Sequence, residues 1–287
     1  MIDDNFEKIS INDAQEIMLS ILRRTIRVLE ENNIEYFLVY GSALGAARHS
    51  GFIPWDDDLD IGVMRSDFDK ISALYNQFEE SDLFLQTLKT DPFYDTYEVP
   101  CKIRDNNSLI IERKGKRYHQ GIFIDIFPFD FCDDFTKYRK ALRISRFLFV
   151  CKTPFRFDRF NIKFLIRSFC QLIFKLVPSK FILDYIKYAQ RKYKTLSPSK
   201  YIVVGNDILS NEIAFFENDD IFPLKDTDFQ NISVKVPNHL ELYLEKIYGD
   251  WQTLPSQKDR ISHSEGLYYK KKLDSKMKRA EEIKKEI

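Results

Sequence analysis

Residues 40–62 read YGSALGAARHSGFIPWDDDLDIG, and the rest of the chain is interpreted outward from them. The apolar run Tyr36–Tyr40 is expected to be a buried strand. Gly41-Ser42 follow, then a small-residue helical turn over Ala43–Arg48, a loop through Gly51 and Pro54, and a second strand over Leu59–Met64. Residues two apart on a strand share a side, so Asp58 and Asp60 should face one way while Leu59 and Ile61 face the core. Two carboxylates so placed repel each other unless a cation lies between them, and hard oxygen ligands favour Mg²⁺ (or Mn²⁺). Gly41, lacking a side chain, lets backbone approach a phosphate closely. Ser42 is expected to start a helix whose free N–H groups and dipole favour an anion. Phosphate grip and metal carboxylates would then sit on adjacent strands, the arrangement that phosphoryl transfer requires. A GS dipeptide alone is usually a turn and a DDD run usually a solvated loop; their order carries the reading.

A third acid comes from Gly121–Phe127, expected to be a buried strand closed by Pro128. Ile122, Ile124 and Ile126 take one face, leaving Asp125 on the other with Phe123 and Phe127. A lone carboxylate there is costly without a partner, and a metal would supply one. Asp56 and Asp57 are read as supports or caps. Upstream, Asn12 or Asp13 is expected to cap a helix with Ile17, Ile21, Val28 and Leu29 on one face, ending near Asn32-Asn33. Downstream of the acids, Ser66 or Asp67 should cap a helix to about Glu80. Strands are expected over Leu83–Leu88, Val99–Arg104 and Ser108–Arg113, the last two joined as a hairpin through Asp105-Asn106-Asn107.

The 287 residues suit roughly two domains. Mixed strand and helix up to Cys132 mark residues 1–132 as a catalytic domain, and residues 133–287 as a mostly helical region completing the site. Lys+Arg and Asp+Glu both number 44, so the whole-chain charge argues against a generic nucleic-acid binder. Strictly apolar stretches reach only about five residues, such as Phe147–Cys151, whereas a bilayer span needs roughly 20. The opening MIDDNFEKIS is not a secretory signal, so Cys101, Cys132, Cys151 and Cys170 are expected to be reduced core thiols in a cytoplasmic protein. The four histidines show no zinc-ligand spacing. Lys137–Lys194 carries 16 Lys/Arg against Asp158 and Asp184. Lys163, Arg167, Gln171 and Lys175 make a polar stripe on an otherwise apolar helix. That region either packs on the core with its cations in water or docks on an anionic membrane surface. A helix is expected from Asn238 to Tyr248, and a solvated Lys/Glu-rich helix after Tyr268.

The segment at 40–63, with CKIRD (Cys101–Asp105) and IFIDIFPFD (Ile122–Asp130), resembles the LicD family of phosphocholine and polyol-phosphate transferases, within the nucleotidyltransferase-fold superfamily. YLEKIYGDWQTLP (Tyr243–Pro255) and KDRISH (Lys258–His263) look like that family's closing motifs. The resemblance implies an α+β fold with a central mixed sheet and flanking helices, followed by a helical, basic C-terminal region. It implies a divalent metal on Asp58 and Asp60 with Asp125 as third carboxylate, and a diphosphate held at Gly41 and Ser42. Arg48, His49, Lys102 and Arg104 fall in matching stretches as candidate phosphate partners, and Trp55 as an aromatic wall for choline.

The activity so implied is transfer of phosphocholine from CDP-choline to a glycan hydroxyl, releasing CMP. Asp125 would complete the metal site or take the hydroxyl proton. The acceptor would be a lipid-linked precursor of teichoic acid, capsule or lipopolysaccharide, met at the inner face of the membrane through residues 137–194. Alternatives are a CDP-ribitol or CDP-glycerol donor, a nucleotidyltransferase that attacks an NTP and releases pyrophosphate, and a catalytically dead scaffold. The last is disfavoured because Asp58, Asp60 and Asp125 are all present.

Overall fold

In the computed structural model the described residues are 4–94, 99–111, 117–152, 191–204, 214–262 and 264–271, with isolated positions between 177 and 188. Most of the basic stretch, including Lys163, Arg167, Gln171 and Lys175, lies outside them, as do Cys170, His263 and the chain beyond 271.

The chain opens with β1 (Phe6–Lys8) and α1 (Ile11–Glu31). Helix α1 is capped by Ser10, not by Asn12 or Asp13: Ser10 Oγ accepts the Asp13 N–H, and the Asp13 carboxylate accepts the Ser10 N–H at 2.9 Å. Such a reciprocal box satisfies two otherwise orphaned donors. Then come β2 (Phe37–Leu38), α2 (Tyr40–His49), β3 (Asp60–Met64) and α3 (Arg65–Ile71). Helix α3 starts straight from the strand, with Met64 in the capping position, so Ser66 and Asp67 fall inside its first turn. The single helix expected to reach Glu80 is broken by a 3₁₀ turn over Ser72–Leu74 before α4 (Tyr75–Glu80). Strands β4 (Leu83–Gln86), β5 (Cys101–Asp105), β6 (Ser108–Ile111) and β7 (Phe123–Cys132) follow, then α5 (Phe135–Lys152). The later described elements are β8 (Lys194–Thr195), β9 (Tyr201–Val204), β10 (Phe215–Glu217), α6 (Asn218–Ile221), β11 (Lys225–Phe229), β12 (Ile232–Val236), α7 (Leu240–Tyr248) and β13 (Gly266–Lys270).

The fold is α+β, built on one mixed sheet ordered β10-β9-β7-β3-β2, with β5 and β8 also on β7 and β4 outside β5. Strand β7 is its axis. Its first part pairs β5 and its last part pairs β9 along one edge, while β3 runs parallel along the other. The strand was expected to stop at Pro128 but passes through it. Asp125 N–H points to β3, donating to Leu59 O, so by alternation the nitrogen of Pro128 faces the other edge. Pro128 lies there between the residues pairing β5 and those pairing β9, where no ladder bond is lost. The sheet also crosses Cys132: β8, β9 and β10 join it from the C-terminal half.

The 105–107 turn does not make a hairpin. Both edges of β5 are taken, by β4 and β7, so β6 leaves to form a second sheet, β1-β13-β6. Strand β13 runs through Tyr268 to Lys270, pairing with β1 there, where the start of a helix was anticipated.

Helix α1 buries Ala14, Met18, Ile21, Leu22 and Leu29 against β5 and β7, while α2 packs on β3 and α7. Cys101 and Cys132 are buried free thiols. No helix among the described residues is long and apolar enough to cross a membrane.

Candidate active site

The strand-to-helix junction sets the site. Tyr40 takes a left-handed φ of 47°, an uncommon conformation for a bulky residue. Its N–H donates to the buried Tyr243 Oη of α7 at 3.2 Å. Helix α2 therefore begins at Tyr40, not after Ser42, and Gly41 and Ser42 lie in its first turn. Ser42 Oγ accepts the Asp60 N–H at 2.7 Å. The serine expected to hold a diphosphate thus ties α2 to the first residue of β3. Gly41 does line the cleft described below, and a Cβ there would stand 2.9 Å from Asp56 Oδ2.

Register then lines up a row of polar side chains across the sheet. Asp60 pairs with Asp125 between β3 and β7, Asp125 with Lys102 on β5, and Lys102 with Gln86 on β4. Register partners share a face, so the two acids expected to meet are neighbours. Leu59 and Ile61 point into the core, as expected. Asp125 is also held by Lys102, whose ammonium lies 2.7 Å from Oδ1 and 3.3 Å from the centre of the Phe123 ring. Lys102 is thus the ion-pair partner of Asp125, where a phosphate contact was expected. Arg104 is fully buried, donating to Gln86 Oε1 and to Gly121 O and stacking on Phe123. It is absent from the cleft wall.

A cleft of about 580 Å³ opens over these acids, lined by Tyr40, Gly41, Leu44, Arg48, Ile53, Trp55, Asp56, Asp58, Asp60 and side chains of the Tyr248–Pro255 segment. Burial, then the charges of Asp58, Asp125 and Asp56, push the Asp60 carboxyl well above the usual carboxylate range. Asp56 is pushed up to about 8, first by burial and then by Asp58. Carboxylate oxygens crowded in this way fit a hard divalent cation in donor chemistry. No group of three acid, His or Cys side chains stands ready to hold an ion among the described residues.

Arg48 Nη1 donates to Trp251 O at 3.0 Å and its Nε to His49 Nε2 at 3.1 Å. His49 stands edge-on to Trp55; burial and the Arg48 charge pull its pKa below the ordinary histidine value. Trp55 was expected to wall a choline group, and the Arg260 guanidinium lies 4.7 Å from its ring centre. Asp57 acts as a support: its Oδ2 accepts the Ser262 hydroxyl and the Ser264 N–H, both at 2.6 Å. Tyr243, Tyr248, Trp251 and Arg260 were not singled out by residue-level reasoning. Only the closing motifs contained them, because nothing local links positions some two hundred residues apart.

Gly41→Ala is expected to keep or slightly raise stability, since alanine favours a helix by about 1 kcal/mol. Displacing the Asp56 carboxylate should lower kcat/KM at least about tenfold. Steady-state kinetics beside a melting curve check this; parental kinetics would show that Gly41 is not needed there.

Residues 33–149 match the family described as LicD/FKTN/FKRP, nucleotidyltransferase domain. Over 266 residues, 90% of this chain and 97% of the relative, the chain is 26% identical to lipopolysaccharide cholinephosphotransferase LicD of Haemophilus influenzae. It is 49% identical over 53 residues to ribitol 5-phosphate transferase FKRP of Homo sapiens, 17% of this chain and 11% of that protein.

Proposed function

Because the chain belongs to the LicD family, we propose that it is a phosphotransferase that moves phosphocholine from CDP-choline to a glycan hydroxyl and releases CMP. The observation that carries this reading is the cleft in which Asp58 and Asp60 stand beside the Gly41 turn, with Asp125 next to Asp60 in register. Asp58 and Asp60 would hold Mg²⁺ or Mn²⁺, which when bound neutralises diphosphate charge. The acceptor oxygen attacks the phosphocholine phosphorus, the bond to the CMP oxygen breaks, and a carboxylate of the cleft takes the hydroxyl proton. Asp56 suits that last role better than Asp125, since it lines the cleft while Asp125 is paired with Lys102. Tyr40, Tyr248 and Trp251 offer aromatic faces for a quaternary ammonium.

Purified protein with Mg²⁺, glycan acceptor and CDP-choline should release CMP. Absence of release from every CDP-linked donor tried would reject the reading. The likeness to a ribitol 5-phosphate transferase favours CDP-ribitol as the second donor to test, and CDP-glycerol completes the panel.

The cation has a readout apart from turnover. An acid with a raised folded pKa stabilises the fold below its unfolded value and loses that contribution as pH rises through the folded value. For Asp56 that window runs from about 4 to about 8. The melting temperature in chelator should therefore fall across it, and MgCl₂ should restore it most at the alkaline end. An equal Mg²⁺ effect at every pH would count against a cation among these acids.

The acceptor is proposed to be lipid-linked, met at a membrane surface. Helix α5 exposes Ile144 and Phe147 beside Lys137, Arg139, Lys140 and Arg143, and carries no acid. Co-sedimentation with anionic but not neutral vesicles is expected, and equal partition would overturn the membrane role.

A further inference from the structure

Arg48 lines the cleft and the Arg260 guanidinium lies against Trp55 of its wall, and neither forms an ion pair with a carboxylate among the described residues. Each is nevertheless fixed in place: Arg48 by Trp251 O and His49, Arg260 by the Trp55 ring and by its own Nε donating to Pro255 O at 3.1 Å. Arg48, Trp55, Trp251 and Pro255 all line the cleft. A guanidinium carries five N–H donors in a planar fork. Arg48 uses two of them and Arg260 one, so both keep donors for a ligand. Burial lowers the Arg48 pKa, and the Arg260 charge acts in the same direction. Two immobilised like charges are relieved by an anion that bridges them, and the forked geometry suits phosphate.

We propose that Arg260 and Arg48 form a phosphate clamp that grips the diphosphate of a nucleoside-diphosphate donor and retains the nucleotide phosphate as it leaves. The clamp rests on the phosphotransfer reading above and adds Arg260 to the residues that touch substrate. Trp55 then serves as the platform that orients Arg260, and the head group lies against other aromatic walls.

Titration calorimetry of the full chain with CDP, inorganic pyrophosphate and cytidine tests the clamp. Arg260→Gln and Arg48→Gln should each weaken CDP and pyrophosphate at least about tenfold and leave cytidine unchanged. Their combined effect should be less than additive, because both grip one group. Arg260→Lys should recover part of the affinity. Parental CDP affinity in Arg260→Gln overturns the clamp while CMP release by the parent keeps the phosphotransfer reading. Equal loss of cytidine and CDP also overturns it, as the mark of a damaged wall. Pyrophosphate binding that needs both arginines, in a parent that ignores CDP, supports the clamp and sinks the donor assignment.

Discussion

Asp60→Asn is expected to abolish transfer without weakening the fold. The side chain is buried beside Asp58, Asp125 and Asp56, and its carboxyl is held well above the usual range. An amide of the same shape cannot ionise inside that cluster, so the melting temperature in chelator should stay level or rise, most at alkaline pH. The same change removes an oxygen ligand that the proposed cation needs. A loss of at least about 10³ in kcat is expected, on the order of 4 kcal/mol of barrier. Kinetics and calorimetry on one preparation check both halves. Stability gained as activity falls is the usual mark of a site strained for function. A variant that is unstable and only slightly slow would make Asp60 a structural residue.

Lys102→Met should have the largest effect on stability. Lys102 and Asp125 are both nearly inaccessible, and the ammonium sits 2.7 Å from the carboxylate. Removing one partner of such a pair leaves an uncompensated buried charge, at a cost of about 3–5 kcal/mol. The loss should appear as a lower urea midpoint with an unchanged slope. Adding Asp125→Leu to the same chain should recover much of it, since the buried charge goes as well. Were Lys102 instead a phosphate ligand, the single variant would fold normally and fail only in KM.

Local patterns in the sequence were reliable guides. The acid–apolar–acid triplet at Asp58–Asp60, the apolar stripe of α1 and the lone carboxylate in β7 all follow from spacing of two or 3.6 residues. What local patterns leave open has one cause, which is that partners come from afar. Nothing near Asp105 reveals that both edges of β5 are occupied. Nothing near Pro128 shows that its edge changes neighbour there. The direction of Ser42 depends on the Asp60 amide, and that of Asp57 on Ser262 and Ser264. Lys102 and Arg104 look alike in sequence, yet one meets an acid and the other a glutamine and a carbonyl.

The pairing of β1 with β13 brings Phe6 opposite Lys270, and Asp57 waits for Ser262 in the same way. During synthesis the ribosome therefore presents β1 and Asp57 without these partners until the stretch from Ser262 to Lys270 has emerged. At about 5–20 residues per second that interval lasts on the order of ten seconds or more. The same delay holds for the Tyr248–Pro255 wall of the cleft, which is made only shortly before Ser262.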